Sequence, residues 1–219
     1  MASPIEVICV DMAGTTMSDD GVVVGAFRRT IATLGLDRTS AARAESYVKA
    51  TMGQSKIDVF RALFGPSAER ANGVFESAIA DVARELGVSA LPGVEETVTR
   101  WRAGGRRVAL TTGFSPQTRE ALVELLGWGD LFDLRVSPAD AGRGRPSPDM
   151  VWWSAARLEA PSCGSIMVVG DTAADIESGK RAGAGRCVGV RTGSDDEAAL
   201  LGAGADAVVD SLADLADLD

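Results

Sequence analysis

The chain has 219 residues, 46% of them hydrophobic and 24% charged, with a formal net charge of −9 and no histidine. That length can bury one substantial core beside a smaller unit, no apolar run is long enough to cross a bilayer, and the acidic balance disfavours nucleic acid or an anionic membrane as partner. Without histidine there is no Ser-His-Asp triad, Cys-His pair or His-ligated zinc, so chemistry would fall to carboxylates, lysine, hydroxyls or water.

Met1-Ala2-Ser3-Pro4-Ile5 lacks the basic start and apolar stretch of a secretory signal, and a cytoplasmic location is expected. Ile5 to Val10 is a short apolar run rich in β-branched residues and reads as a buried strand. From Gly21 to Gly87 the periodicity becomes helical. Val24, Phe27, Ile31 and Leu34 form one face closed by Gly35, followed by helical segments over Thr39–Thr51, Ser55–Phe64 and Ser67–Leu86. Leu91-Pro92-Gly93 ends this block. Strands and helices then alternate: strands over Arg107–Thr111, Phe132–Val136, Ile166–Val169, Cys187–Val190 and Ala207–Val209, and helices over Ser115–Leu126, Pro148–Leu158 and Thr172–Ala182. Such alternation predicts an α/β doubly wound parallel sheet that binds ligands at the carboxyl ends of its strands, with a helical insertion after the first strand. Cys9 and Cys187 read as small buried hydrophobes. An odd count of three cysteines supports neither a disulfide framework nor a cysteine metal site.

Four places carry candidate chemistry. Asp11 directly follows the first strand, and the loop Met12-Ala13-Gly14-Thr15-Thr16 offers backbone N–H groups that could cradle an anion; the alternative is an Asp that merely caps the turn. Thr111-Thr112-Gly113 presents hydroxyls and N–H groups at another strand end. Arg143 and Arg145 sit in a loop before a helix. Arg143 reads as solvated, whereas Arg145, restricted by the following Pro146, suits a fixed phosphate or carboxylate contact. The strand begun at Ile166 runs out in Gly170-Asp171, and Asp175 lies at the start of the next helix; oxygen-only ligands of this kind suit Mg²⁺.

Taken together, DMAGTT, ALTTG, GRPSP and VVGDTAADIESGKRAG resemble the haloacid dehalogenase superfamily, and the first three most resemble its phosphonatase branch, the phosphonoacetaldehyde hydrolases. The resemblance implies a Rossmann-like core of residues 1–16 and 93–219 and an α-helical cap of residues 17–92 that selects the substrate. It makes Asp11 a nucleophile that is transiently phosphorylated, and it implies Mg²⁺ held by the Asp11 carboxylate, the Ala13 carbonyl and Asp171, with Asp175 supporting the metal site. Thr111 and the Thr112 amide would hold phosphoryl oxygens, Gly14, Thr15, Gly113 and the cap glycine Gly53 would border the substrate, and Arg145 would replace the usual lysine.

Most phosphatases of the superfamily carry an Asp two positions after the nucleophile as general acid, a group that supplies ~10²–10⁴-fold. Here that position is Ala13, as in the phosphonatase branch, where a cap lysine instead forms a Schiff base with the substrate carbonyl. The segment Met52-Gly53-Gln54-Ser55-Lys56 implies Lys56 for that role. Two departures bear on it: Val59 stands where the branch has a histidine, and Phe114 where it has a tyrosine, so proton handling would need Asp58, water or the substrate. The expected ligand is a small phosphonate. The alternatives are a phosphatase of a small phosphomonoester and a non-catalytic phosphate-binding protein.

Overall fold

A computed structural model describes residues 4–19 and 21–217. Met1 to Ser3 and residues 218–219 of the expected core unit, and Asp20 of the expected cap, lie outside the described residues.

The strands are β1 (Val7–Asp11), β2 (Arg107–Thr111), β3 (Leu134–Val136), β4 (Ile166–Gly170), β5 (Arg186–Val190) and β6 (Ala207–Val209). They form one parallel sheet in the order β3-β2-β1-β4-β5-β6. Both faces are covered, which is why the central strands read as unbroken apolar runs. Alternate residues divide between two cores. Val7, Cys9, Ile166, Val168 and Cys187 pack with Val151, Ile176 and Leu200, whereas Ile8, Val10, Val108, Leu110, Met167 and Val169 pack with Val98, Trp101 and Leu122.

The strand order reverses between β1 and β4, and an open α/β sheet binds ligands in the crevice at that switch point. Register places the chemistry there: Asp11 lies opposite Thr111, and Val10 lies opposite Val169, so Asp171 emerges beside Asp11.

Between β1 and α5 (Val94–Ala103) lie α1 (Val22–Leu34), α2 (Arg38–Ala50), α3 (Lys56–Phe64) and α4 (Ala68–Leu86). These form the expected helical block around Phe27, Phe60 and Phe75, with ring centroids 5.9 Å and 5.4 Å apart along that series. The α1 face is rotated from the expected one. Val23, Ala26, Phe27, Thr30 and Ile31 are buried, while Val24 and Leu34 are only half-buried, because the helix packs along α4. The chain enters and leaves this block along paired segments: Ser18 N–H donates to the Ser89 carbonyl at 3.0 Å, and Leu91 N–H to the Thr16 carbonyl at 2.9 Å.

The remaining helices are α6 (Pro116–Leu126), α7 (Pro138–Ala141), α8 (Asp149–Arg157), α9 (Ala173–Ala182) and α10 (Glu197–Gly202). Sequence reading does not anticipate α5, α7 or α10. Among the described residues no helix is long and apolar enough to cross a membrane.

Candidate active site

Three carboxylates meet at the switch point. Asp11 ends β1, Asp171 follows β4 and Asp175 lies in the first turn of α9. All three are buried, and one oxygen from each lies within 4.8 Å of the others. Each is held differently. Asp171 accepts the Thr15 hydroxyl at 2.9 Å and the Ser194 N–H at 2.8 Å. Asp175 closes a capping box, accepting the Thr172 N–H at 3.1 Å and its hydroxyl at 2.5 Å through Oδ2.

Arg145 ties the cluster together. Its Nη1 lies 2.5 Å from Asp11 Oδ1 and its Nη2 donates to the Thr111 hydroxyl at 2.5 Å. Its Nε is 2.7 Å from Asp175 Oδ1, an ionic contact without hydrogen-bond alignment, which leaves that oxygen with no hydrogen-bond partner. Arg143, by contrast, is exposed and pairs with Asp149 at 2.8 Å, in keeping with its solvated reading.

Lys56 begins α3 and comes from the helical block, yet it lines the same cavity as Asp11, Arg145 and Asp171. Only 7% of it is exposed, and its Nζ lies 5.6 Å from the centre of the Phe114 ring. The cavity that remains is about 20 Å³, room for about one water. A larger surface groove, about 820 Å³ along α2 and α3, shares no residue with this site.

The block and the sheet meet through glycines. A Cβ on Gly53 would collide with the Thr172 side chain, one on Gly113 with the Gln54 backbone carbonyl, and one on Gly144 would lie 2.5 Å from Ser55 Cβ. Lys56 N–H donates to the Gly113 carbonyl at 3.1 Å across this junction.

Several expected residues reach the site in other ways than the sequence suggests. The Thr112 N–H is engaged by the Val136 carbonyl at 3.0 Å and is not available to a ligand, because the ladder to β3 runs one residue past the strand end. Thr112 and Gly113 line the cavity, whereas Thr111 bonds to the Val10 carbonyl and to Arg145. Gly14 does not offer its N–H to an anion either: the tight turn directs it to the Met17 carbonyl at 2.8 Å. Its φ of 91° and the closeness of Asp171 make glycine necessary there. Thr15 serves Asp171. Asp58 points away, 53% exposed and bonded to Arg61, and Val59 is buried in the core.

The loop Thr192–Ser194 after β5 was not anticipated. The Thr192 hydroxyl donates to the Gly14 carbonyl at 2.6 Å and Ser194 holds Asp171. Its only signal in sequence is a Gly-Ser turn at the carboxyl end of a strand.

Electrostatics follow from burial. Desolvation pushes the Asp11 carboxyl up, to about 7, against the pull of Arg145, and pushes Asp171 well above the carboxylate range, with Asp11 and Asp175 adding repulsion. The Lys56 amine is pushed down by burial, against the pull of Asp19, Asp11 and Asp171. Three buried carboxylates thus share the site with one buried guanidinium and one buried amine. An all-oxygen donor set of three converging carboxylates that repel one another fits Mg²⁺.

Comparison with known proteins agrees with this arrangement. A family model described as haloacid dehalogenase-like hydrolase matches residues 5–183. The chain is 28% identical over 214 residues to a phosphonoacetaldehyde hydrolase of Syntrophobacter fumaroxidans, covering 88% of this chain and 74% of that one. It is 30% identical over 214 residues to a phosphonoacetaldehyde hydrolase of Bacillus cytotoxicus, covering 88% and 78%. The crystal structure of a phosphonoacetaldehyde hydrolase-like protein from Oleispira antarctica superposes with a TM-score of 0.84 at 26% identity, covering 98% of this chain and 91% of that one.

Proposed function

The chain belongs to the haloacid dehalogenase-like hydrolases and is an enzyme, and we propose that it cleaves the C–P bond of a small carbonyl phosphonate through an aspartyl-phosphate on Asp11. One observation carries this reading. A buried lysine amine shares the cavity of the nucleophile, while the position two residues beyond Asp11, where an ester phosphatase keeps its general acid, is Ala13. The relatives named phosphonoacetaldehyde hydrolase support it.

In this scheme the neutral Lys56 amine attacks the substrate carbonyl, and loss of water gives an iminium. The C–P bonding electrons flow into that iminium to form an enamine as the phosphoryl group passes to an Asp11 oxygen. Water then hydrolyses the aspartyl phosphate, releasing inorganic phosphate. Protonation of the enamine at carbon and hydrolysis of the imine release the carbonyl product and restore Lys56. The sum is one water consumed per C–P bond broken.

Residues 17–92 act as the cap: their paired connections at Ser18–Ser89 and Thr16–Leu91 allow Lys56 to be carried to and from Asp11. Arg145 holds Asp11 and offsets charge developing on the phosphoryl group, with Thr111 fixing its guanidinium. Thr112 and Gly113 border the phosphoryl oxygens. Mg²⁺ would be held by Asp11, the Ala13 carbonyl and Asp171, with Asp175 oriented behind them; when bound it supplies the positive charge that lets a carboxylate approach a dianionic phosphoryl group.

Borohydride added with phosphonoacetaldehyde tests the scheme. Covalent mass on Lys56 together with phosphate release is the expected outcome. Phosphate release from phosphomonoesters alone, with no trapped adduct, would establish the ester phosphatase in its place.

A further inference from the structure

A second cavity, about 170 Å³, adjoins the first, and Lys56, Gly113 and Phe114 line both. Its walls combine two chemistries. Ile57, Phe114, Pro138 and Ala139 supply apolar surface. Ser55 Oγ, Asn72 Oδ1 and Glu76 Oε1 supply three buried oxygens that find no hydrogen-bond partner. Buried polar atoms are nearly always paired, so three orphaned oxygens around one cavity mark a place that something else satisfies.

Glu76 gives the site its direction. It lies on α4, and its other oxygen, Oε2, accepts the hydroxyls of Ser115 and Thr118 at the start of α6. This fixes the carboxylate across the junction and leaves Oε1 on the cavity wall. Among the described residues no salt bridge reaches Glu76; Lys56, on the same wall, has its Nζ over the Phe114 ring. An uncompensated carboxylate beside two further oxygens calls for a cation with several donors. A primary ammonium offers three N–H donors to three acceptors, and the apolar wall suits the methylenes that would carry it.

We propose that this cavity is a specificity subsite for a primary ammonium group on the substrate's carbon chain, so that the preferred substrates are short-chain carbonyl phosphonates that also carry an amino group. The inference rests on the phosphoryl group binding at Asp11, and it deepens that reading by naming what lies at the other end of the molecule. A substrate spanning both cavities passes Lys56 on the way.

Binding rather than turnover tests it. Calorimetric titration with Mg²⁺ present would compare 2-aminoethyl-, 3-aminopropyl- and 4-aminobutylphosphonate with ethyl-, propyl- and butylphosphonate and with 3-hydroxypropylphosphonate, none of which can form an imine through a carbonyl. At one chain length the amine should bind at least about tenfold more tightly than its alkyl match, as a charge-assisted contact requires. Glu76→Gln should bring that ratio to about one, and Ser55→Ala, a smaller change at the same wall, should lower it. Equal binding of amino and alkyl ligands overturns the subsite alone. A hydroxyl ligand that matches the amine also overturns it, as does an equal fall for both ligand types in Glu76→Gln, which would make Glu76 only a tie between the two units. Absence of binding by every phosphonate overturns the phosphoryl site and the subsite together.

Discussion

Replacing Lys56 by methionine should make the protein more stable and inactive at once. Lys56 is 7% exposed, its ammonium lies 5.6 Å from the centre of the Phe114 ring, and among the described residues no salt bridge reaches it. The net direction of its shift is downward, so desolvation exceeds the attraction of Asp19, Asp11 and Asp171. A folded-state value below the ordinary 10.5 means that the unfolded chain holds the proton more tightly, and the charge therefore destabilises the fold at neutral pH. Methionine keeps the volume and removes the charge. Replacing a whole buried ion pair by apolar volume gains about 1–4 kcal/mol, which bounds the gain from one cation whose desolvation outweighs its attraction, and the lost cation–π contact returns about 0.5–2 kcal/mol. The midpoints of the two ranges differ by about 1 kcal/mol in favour of methionine, or about 2–4 °C in Tm for a chain of this size. Scanning calorimetry in EDTA at pH 7 and pH 10 measures it. The advantage should be full below the depressed value and shrink as the pH rises toward 10.5. A lower Tm at pH 7, or phosphonate turnover by the variant near that of the parent, would refute the reasoning.

Asp11→Asn keeps side-chain volume and removes the nucleophile, so phosphate release should fall to background while far-ultraviolet circular dichroism is unchanged; normal turnover would exclude a covalent aspartyl intermediate. Asp171→Ala removes an oxygen donor and frees Thr15 and Ser194, so the Mg²⁺ concentration for half-maximal activity should rise by about 10–100-fold or more; activity that survives exhaustive chelation in the parent would remove the metal from the scheme. The C–P reaction needs the free base of Lys56, so kcat/KM should rise with pH through a value below 10.5 and level off above it; a fall across that limb would assign the amine a purely electrostatic role.

Much of the fold is legible because its signals are local. Ile166–Gly170 is an unbroken apolar run and becomes a central strand, while Thr172 and Asp175 spell out a capping box that the structure forms. α5 was missed although Val94, Val98 and Trp101 share one face, because Glu95, Glu96, Arg100 and Arg102 dilute the pattern within only ten residues. The Thr111–Thr112 pair shows a different limit. Which hydroxyl meets the cavity depends on where β2 stops pairing, and that is set by Val136, which sequence does not place beside it. Ser194 and Glu76 were invisible for the same reason: one acts through a backbone N–H, and the other gains meaning only when α4 meets α6.

The position of Lys56 explains how an acidic chain can lower the proton affinity of an amine beside carboxylates. Those carboxylates should hold the proton on, and Asp19, Asp11 and Asp171 do pull in that direction. Three features oppose them. Burial between the helical block and the sheet removes water from the ammonium. Arg145, held at 2.5 Å from Asp11, stands among the carboxylates and repels a second cation. Lys56 is also the first residue of α3, and the aligned peptide dipoles give that helix end a partial positive charge that disfavours another cation. Burial and the helix end both depend on the Ser55–Lys56 segment lying against Gly113 and Gly144, where any Cβ would force the two units apart. The glycines that let the units touch therefore also set the protonation state of the amine, and Gly144→Ala should raise the apparent pKa of Lys56 toward its ordinary value as well as slow turnover. A Gly144→Ala variant with reduced kcat and an unshifted pH profile would break that link.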